Sequence, residues 1–248
     1  MCGRYVQARS LDDLLADFEA KLVGADAVAD DAADEPAVAD YNVAPTKPVP
    51  VVVYRPRPGD RGGPPVRHLR TARWGLVPSW ARDATGAAKR INARVETVAT
   101  TPVFRLALAR RRCLVPADGW YEWARREDGG RQPTYLNPGD RAGLAFAGLY
   151  EFWSGPAGKV TTCTIITTAA VGELRTVHDR MPLLLPRAAW AGWLDPAGDP
   201  APLLAPPAPE LVAGIELRPV GAAVGNVTNE GPGLIAPVSP APVAQTLF

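Results

Sequence analysis

The sequence contains few of the residues that build disulfide frameworks or metal sites. Among its 248 residues are three cysteines, Cys2, Cys113 and Cys163, and two histidines, His68 and His178. Three scattered cysteines cannot form a disulfide framework, and the C-x-x-C spacing typical of zinc sites is missing. We therefore expect no metal, no other cofactor, and a reducing, cytoplasmic compartment.

Long apolar segments are also missing. No uncharged apolar run reaches the ~18 residues of a transmembrane helix, and no secretory signal is evident. The 47% of hydrophobic and 21% of charged residues are typical of a globular protein. We expect a protein without a membrane anchor that is long enough to form a substantial core.

Lysine is rare, and the charges are unevenly distributed. Arginine accounts for 23 of the 27 basic residues, and guanidinium groups are suited to bidentate phosphate contacts. Residues 24–40 hold six acids and no base, whereas residues 41–131 hold eighteen basic and seven acidic residues. The clustering favours a phosphate-rich partner, although a compositional bias would also favour arginine over lysine. On charge alone, both explanations stay open.

Apolar patterns predict a mixture of short helices and strands. Apolar residues recur at helical spacing from Leu11 to Leu22, and Ser10 with Asp13 resembles a capping box. Short helices are also expected near 102–111 and 187–194. Runs of β-branched and apolar residues predict strands at 49–54, 113–116, 144–149 and 160–168.

These elements predict a single domain of the α+β class. The sequence has no internal repeat and no βαβ alternation, so a parallel doubly wound sheet is not expected. We expect residues 1–238 to form one domain around a curled, largely antiparallel, barrel-like sheet with flanking short helices. Residues 24–40 are expected to be an acidic mobile loop, and residues 239–248 a loose C-terminal tail.

Cys2 follows Met1 directly, and this position gives it chemistry that an internal cysteine lacks. Removal of Met1 is normal before a small residue and would leave an α-amine and a thiol on adjacent carbons. Such a 1,2-aminothiol condenses with an aldehyde to a Schiff base, which the thiol then closes to a thiazolidine. Reference pKa values of about 7.7–8.0 for the amine and about 8.5 for the thiol leave both partly available near neutral pH. The plain alternative is that Cys2 is merely a small residue near a chain end.

Six short segments decide between these interpretations. They are Met1–Tyr5 (MCGRY), Tyr41–Pro45 (YNVAP), Ile91–Thr97 (INARVET), Asp118–Trp123 (DGWYEW), His178–Pro182 (HDRMP) and Pro219–Gly231. Together they closely resemble the SRAP family, named for SOS-response-associated peptidases and understood as abasic-site processing proteins. The resemblance extends from residue 2 to about 238, in the family's order and approximate spacing. Each segment alone is a weak signal, but the ordered set outweighs the plain alternative for Cys2.

The resemblance implies a function. Family members trap abasic sites in single-stranded DNA through the N-terminal cysteine, since the open-chain deoxyribose presents an aldehyde. The implied product is a slowly reversible thiazolidine DNA–protein crosslink that protects the lesion during the DNA-damage (SOS) response. We expect a monomer that acts on single-stranded DNA containing abasic sites, with possible lyase and autopeptidase activity.

The resemblance assigns the chemistry to Cys2, Asn92, Glu122 and His178. Asn92 is a neutral donor and acceptor suited to holding the N-terminus and the sugar oxygen; a loop cap is its structural alternative. Glu122 stands between Trp120 and Trp123, where an apolar setting should raise its pKa and suit it to proton transfer. A buried salt bridge with a nearby arginine is the alternative for Glu122. His178 is expected to transfer protons during Schiff-base formation and crosslink reversal.

DNA contacts are implied at the positions that line the family's cleft, which are Arg4, Asn42, Pro45, Trp80, Arg94, Thr167 and Arg180. Trp80 is expected to stack on a base beside the lesion, and Arg94 to hold a phosphate. Trp74 is expected in the core. His68 matches no motif and is expected on the surface of a strand.

Two other functions stay open. A thiol or N-terminal-nucleophile peptidase would use Cys2, Glu122 and His178 to activate a thiolate towards a carbonyl, and would survive in limited form as self-removal of Met1. A binding module without chemistry would leave these residues unexplained. A covalent adduct that forms only with abasic DNA separates the three hypotheses.

Overall fold

The computed structural model describes residues 2–22, 39–56, 63–139, 142–155 and 158–238. Within these ranges strands outnumber helices. The strands are β1 (Tyr5–Gln7), β2 (Lys21–Leu22), β3 (Asp40–Val43), β4 (Pro48–Arg55), β5 (Val66–Trp74), β6 (Asn92–Arg94), β7 (Arg112–Ala117), β8 (Gly119–Arg125), β9 (Arg131–Pro138), β10 (Leu144–Gly155), β11 (Gly158–Ala169), β12 (Arg180–Pro182) and β13 (Ile215–Pro219). The α-helices are α1 (Leu11–Asp17), α2 (Arg105–Arg110), α3 (Trp190–Leu194) and α4 (Pro209–Val212). Short 3₁₀ helices lie at Ala87–Lys89, Gly172–Thr176, Arg187–Ala189, Ala201–Leu204, Ala222–Gly225 and Pro232–Ile235.

Five strands close into a barrel. Antiparallel pairing joins β5, β4, β7, β10 and β11 in that order. A parallel pairing of β11 with β5, at Thr162↔Arg73 and Cys163↔Trp74, closes the ring. Because β11 continues beyond this closure, it also pairs with β6 and β12. β11 therefore connects the barrel to two of the sequence motifs.

A second sheet is antiparallel throughout, in the order β13-β9-β8-β1-β3. β1 lies between β3 and β8, with Tyr5 opposite both Val43 and Trp120. One core cluster contains Cys2 and Trp120 together with Trp74 and Ile165 of the barrel. The chain segment before β1 thus reaches the junction between the barrel and the second sheet.

Alternation along the barrel strands divides their side chains between two clusters. Val51 and Val53 of β4 belong to the cluster that contains Cys2, whereas Val52 belongs to a cluster with Leu14 of α1 and Trp193 of α3. Successive strand residues point to opposite faces, and here both faces are apolar because each is covered. This double coverage explains why β4 appears in the sequence as a continuous apolar run.

The predicted α+β, barrel-like single domain is confirmed. The four predicted strands lie within β4, β7, β10 and β11. The helix predicted near 102–111 contains the shorter α2, and the helix predicted near 187–194 covers the 3₁₀ helix Arg187–Ala189 followed by α3. The capping box is also confirmed, since the Asp13 N–H donates to Ser10 Oγ at 3.1 Å and the Ser10 N–H donates to an Asp13 carboxylate oxygen.

Two local predictions are wrong. The first helix ends at Asp17, and Leu22 lies in β2, because Glu19 takes a left-handed φ of 50° that ends the helix. His68 is buried rather than at the surface, because β2 pairs alongside it and its ring Nε2 lies 3.2 Å from the Arg55 carbonyl oxygen.

Some predictions fall outside the described residues. These concern Met1, residues 24–38 of the acidic segment and the tail 239–248; residue 39 is described, and Asp40 begins β3. The proposed domain limits stay a prediction.

Candidate active site

Asn92 lies directly beside Cys2. Its side-chain Nδ2 donates to the Cys2 carbonyl oxygen at 2.7 Å, and the Cys2 side chain is fully buried. Parallel pairing of Asn92 with Ile165 of β11 fixes the position of the amide. Within the described residues, the buried Asn92 Oδ1 has no hydrogen-bond partner. One half of the amide therefore holds the chain before β1, and the other half is a buried acceptor available to a ligand.

Burial changes the acidity of the Cys2 thiol. Desolvation raises its pKa well above the ordinary value, and the nearby charge of Glu122 raises it further. The thiol is therefore protonated at neutral pH, in contrast to the partly ionised thiol expected from reference values. Any reaction of its sulfur requires a group that accepts its proton.

Glu122 has the properties of such a group. It lies on β8 and is only 3% exposed. Burial raises its pKa to about 7, and the charge of Asp179 acts in the same direction. The predicted rise in pKa is confirmed. A carboxyl group that titrates near neutral pH can act both as an acid and as a base.

The two tryptophans beside Glu122 lie on opposite faces of β8. Trp120 is two residues away and shares the face of Glu122, where it is fully buried. Trp123 points to the other face, and the Arg4 guanidinium lies 5.9 Å from the centre of its ring. The apolar setting of Glu122 is thus not formed by both tryptophans, because strand alternation separates them.

His178 lies in the turn before β12. Its Nδ1 is 2.9 Å from the Arg180 backbone N–H nitrogen and 2.7 Å from an Asp179 carboxylate oxygen. Nδ1 accepts from Arg180 only when unprotonated, and donates to Asp179 only when protonated. Burial lowers the pKa of His178, which favours the neutral ring and the bond from Arg180. In that state the ring proton resides on Nε2.

Trp80 lies on an excursion from the barrel wall. β5 and β6 pair with consecutive parts of β11, and residues 75–91 leave the wall between them. The base of this excursion is closed by the Leu76 N–H, which donates to the Arg90 carbonyl oxygen at 3.1 Å. The Trp80 side chain is 61% exposed, whereas Trp74 is fully buried, as predicted. Trp153 steadies the excursion because its indole N–H donates to the Ala81 carbonyl oxygen at 2.8 Å.

Arg94 and Arg180 have different environments. Arg94 is exposed at the end of β6. Arg180 is paired with Glu96 at 2.6 and 3.0 Å and also donates to the Thr167 carbonyl oxygen at 2.8 Å. Thr167 itself is buried on β11. The structure thus brings these implied DNA contacts together at the C-terminal part of β11, where β6 and β12 flank it on opposite edges. Among them, only Arg94 is open to solvent.

Arg4 and Asn42 are buried beneath the segment 222–231. Asn42 Nδ2 lies 2.9 Å from the carbonyl oxygens of both Asn226 and Asn229. Arg4 Nη1 donates to Asn42 Oδ1 at 2.7 Å and to the Val224 carbonyl oxygen at 2.8 Å. These two side chains hold the last sequence motif in place. Pro45 is half-buried just after β3.

Two acids of the site, Glu96 and Asp179, were not predicted from the sequence, although they contact Arg180 and His178. Both lie inside the sequence motifs, Glu96 two residues after Arg94 and Asp179 directly after His178. Their contacts depend on how β6 and β12 meet at β11, which the motifs alone do not reveal.

Neither a metal centre nor a membrane helix is found in the described ranges. No three His, Cys, Asp or Glu side chains come together there as a metal ion requires. No helix there is long and apolar enough to cross a membrane.

Comparison with known families identifies the class of protein. The family model described as SOS response associated peptidase (SRAP) matches residues 1–227. The chain belongs to this family.

Two relatives of this chain are described as abasic site processing proteins. Abasic site processing protein YoqW of Bacillus subtilis is 35% identical over 237 residues, covering 95% of this chain and 99% of the relative. Abasic site processing protein YedK of Escherichia coli is 32% identical over 240 residues, covering 96% and 100%. Among solved structures, a Bacteroides thetaiotaomicron protein is 21% identical with a TM-score of 0.78, covering 96% of this chain and 100% of its own. That likeness concerns the fold alone.

Proposed function

We propose that this protein captures abasic sites in single-stranded DNA as a covalent thiazolidine adduct of Cys2, formed after removal of Met1. The hydrogen bond from Asn92 to the Cys2 carbonyl oxygen, next to a carboxyl group with a pKa of about 7, is the observation that supports this proposal most directly. The descriptions of the relatives as abasic site processing proteins support the choice of lesion.

The reaction joins two nucleophiles to one carbon. The α-amine of Cys2 adds to the C1′ aldehyde of the open-chain sugar, and loss of one water gives the imine. The thiol sulfur then adds to the imine carbon, and its proton passes to the nitrogen. Two bonds to C1′ form, one C=O bond is lost as water, and no oxidant or reductant is needed. The reverse steps return the aldehyde, so the adduct is reversible.

Proton transfer is the contribution of Glu122 and His178. Because burial keeps the Cys2 thiol protonated, ring closure needs a nearby base, and imine formation needs an acid. Glu122 alternates between these roles since its pKa is close to neutral pH. His178, neutral and with its proton on Nε2, donates that proton to the reacting sugar and then accepts a proton back at the same nitrogen.

DNA reaches the site along the edge that carries Trp80 and Arg94. The exposed indole stacks on a base next to the lesion, and Arg94 holds a phosphate. Pro45, Thr167 and Arg180 complete the proposed contact set. Arg4 and Asn42 support it from beneath, by holding the segment 222–231. Stacking on Trp80 requires an unpaired base, so the proposed substrate is single-stranded. Capture in this form protects the lesion from strand cleavage during the DNA-damage response.

The alternative of a general thiol peptidase is less well supported. Such enzymes depend on a lowered thiol pKa, whereas the pKa of Cys2 is raised. A peptidase role is best limited to removal of Met1, for which Glu122 and His178 are the proton-transfer groups.

A crosslinking assay tests the proposal. The full chain is mixed with labelled abasic single-stranded, abasic double-stranded and undamaged single-stranded DNA, without reductant, and resolved on a denaturing gel. We expect an adduct mainly with the abasic single strand. Its intact mass should equal the protein without Met1 plus the oligonucleotide minus one water. An adduct of equal yield with undamaged DNA would contradict the proposal.

Variants of the cysteines locate the reactive atom. Cys2→Ala should form no denaturant-stable adduct, because ring closure needs sulfur, and Cys2→Ser should form at most a transient imine. Cys163→Ala is the matched control, since Cys163 is also fully buried in the same core cluster. A stable adduct formed by Cys2→Ala, or its loss in folded Cys163→Ala, would point to a different nucleophile.

A further inference from the structure

Glu96 and Arg180 join two short segments that carry separate parts of the site. Glu96 follows β6, the strand of Asn92, and Arg180 opens β12, directly after the turn of His178. The Glu96 carboxylate accepts from Arg180 Nη1 at 2.6 Å and from Nη2 at 3.0 Å. Two parallel bonds of this kind fix the orientation of both groups as well as their distance.

The ion pair lies over the backbone of β11. The Thr167 carbonyl oxygen accepts from the Val95 N–H at 3.0 Å and from Arg180 Nη2 at 2.8 Å. β6 and β12 each pair with β11 through only three residues. Such short pairings constrain the strands weakly, so the side-chain contacts between them carry much of the alignment.

The backbone of Arg180 also contacts the His178 ring. The Arg180 N–H donates to His178 Nδ1 at 2.9 Å, in competition with Asp179, whose carboxylate oxygen lies 2.7 Å from the same nitrogen. If Arg180 shifts, the bond from its N–H weakens and the ring is free to carry its proton on Nδ1 and donate to Asp179. The position of Arg180 therefore selects the His178 tautomer.

Glu96 is the principal contact of the Arg180 guanidinium. Nη1 contacts Glu96, and Nη2 contacts Glu96 and Thr167, while Nε has no partner among the described residues. The Arg180 side chain is 14% exposed and that of Glu96 is 52% exposed. Without the carboxylate, a largely buried cation would keep only the oxygens of Thr167 and would rearrange towards solvent.

We infer that Glu96 is a positioning residue for the proposed reaction: by holding Arg180 it aligns the His178 turn with the Asn92 strand and keeps the histidine proton on Nε2. This inference rests on the proposed function for its kinetic consequence, but the histidine tautomer can be measured without DNA.

The first experiment measures that tautomer. The full chain, labelled with ¹⁵N, is compared with Glu96→Gln and Glu96→Ala at pH 8, where His178 is neutral. Only two histidines contribute, and His178→Ala identifies their signals. We expect the Nε2–H form for His178 in the unchanged protein, and a growing Nδ1–H population in Glu96→Gln and, more strongly, in Glu96→Ala. The His68 signals should stay constant. An unchanged His178 tautomer in folded Glu96→Ala would overturn the inference.

The second experiment separates positioning from DNA affinity. The maximal crosslinking rate, measured at saturating DNA so that a change in affinity through Arg180 does not enter, should fall about 10-fold in Glu96→Ala, less than the ~10² that a 1 Å misplacement can cost. Glu216→Gln is the matched control because it breaks another double ion pair, with Arg218 on β13. Tighter DNA binding with an unchanged rate would instead make Glu96 a counter-charge that phosphate displaces, and the inference would be wrong. A wild-type protein that forms no adduct would refute the proposed function while leaving the tautomer result intact.

Discussion

Burial acts on the three ionisable side chains of the site in one sense, by favouring their uncharged forms. It raises the pKa of Cys2 and of Glu122 and lowers that of His178. A site without fixed charges on these groups holds protons that can move when a substrate arrives, since small changes in surroundings alter which group is protonated. Cys2, Glu122 and His178 are therefore all suited to proton transfer.

Glu122→Gln should slow adduct formation by about 10²–10⁴-fold, the usual effect of removing a positioned acid or base. If Glu122 acts as the acid in the slow step, its active form is protonated and declines as the pH rises through about 7. The ratio of the wild-type rate to the Glu122→Gln rate should then fall above that pH. Single-turnover crosslinking from pH 5 to 9 measures the ratio. A ratio that rises with pH would assign Glu122 the role of base instead.

At this scale the sequence allowed part of the site to be predicted. The special position of Cys2 and the raised pKa of Glu122 follow from local context, the first from its neighbour Met1 and the second from an apolar motif. The raised pKa of the Cys2 thiol and the pairing of Glu96 with Arg180 could not be predicted from local sequence context. Both depend on contacts between segments that are far apart in the chain.

Among the elements, the excursion 75–91 has the clearest relation to function. It separates two strands that pair with the same edge of β11, and it ends one residue before Asn92. The exposed Trp80 is thereby tied to the segment that holds Cys2. β4 was predictable because both of its faces are apolar, and β11 because it is rich in β-branched Thr and Ile. β6 was not, because three residues without an apolar pattern become a strand only through their partner.

Trp80→Ala should weaken binding of undamaged single-stranded DNA about 10-fold, as one lost base–aromatic stack of roughly 1–3 kcal/mol implies. Trp153→Phe should give a smaller loss, because it removes the N–H that holds the Ala81 carbonyl and so loosens the excursion. Fluorescence anisotropy of a labelled oligonucleotide measures both effects.

Trp193→Phe provides the control for this comparison. It also removes a buried indole N–H, which donates to the Cys113 carbonyl oxygen at 2.8 Å, but outside the excursion. It should lower stability through the lost hydrogen bond and the cavity left in the core, without altering DNA affinity. Equal losses of DNA affinity in Trp153→Phe and Trp193→Phe would show that the excursion has no special role in DNA binding.

For the molecule as a whole, the α+β class and the barrel-like sheet were predictable from the number and spacing of strands. The closure of the barrel by parallel pairing of β5 with β11 was not, because nothing in either segment specifies a partner so distant in the chain. Burial of the Glu122 carboxyl group lowers the free energy of unfolding at high pH, and an unfolding measurement can detect this loss.

The unfolding free energy should reveal the titration of Glu122. Its pKa is about 7 in the folded protein and near 4.5 in the unfolded chain, so the folded state binds more protons between these values. Stability is therefore lost as the pH rises through this window, by about 3 kcal/mol at most, at about 1.36 kcal/mol per pKa unit. Urea unfolding of wild type and Glu122→Gln from pH 4 to 8 measures the difference. A difference that does not change with pH would show that the carboxyl is not desolvated.

The seam of the barrel has a consequence for how the molecule opens. β5 and β11 are joined by two residue pairs, Thr162↔Arg73 and Cys163↔Trp74, whereas the neighbouring ladders are much longer. A short, non-local pairing forms late during folding and opens first in native fluctuations. The next partner along this edge of β11 is β6, which carries Asn92. Amide hydrogens at the seam should exchange sooner than those of β10, and mild heating should detach Asn92 from Cys2 while the rest of the barrel persists.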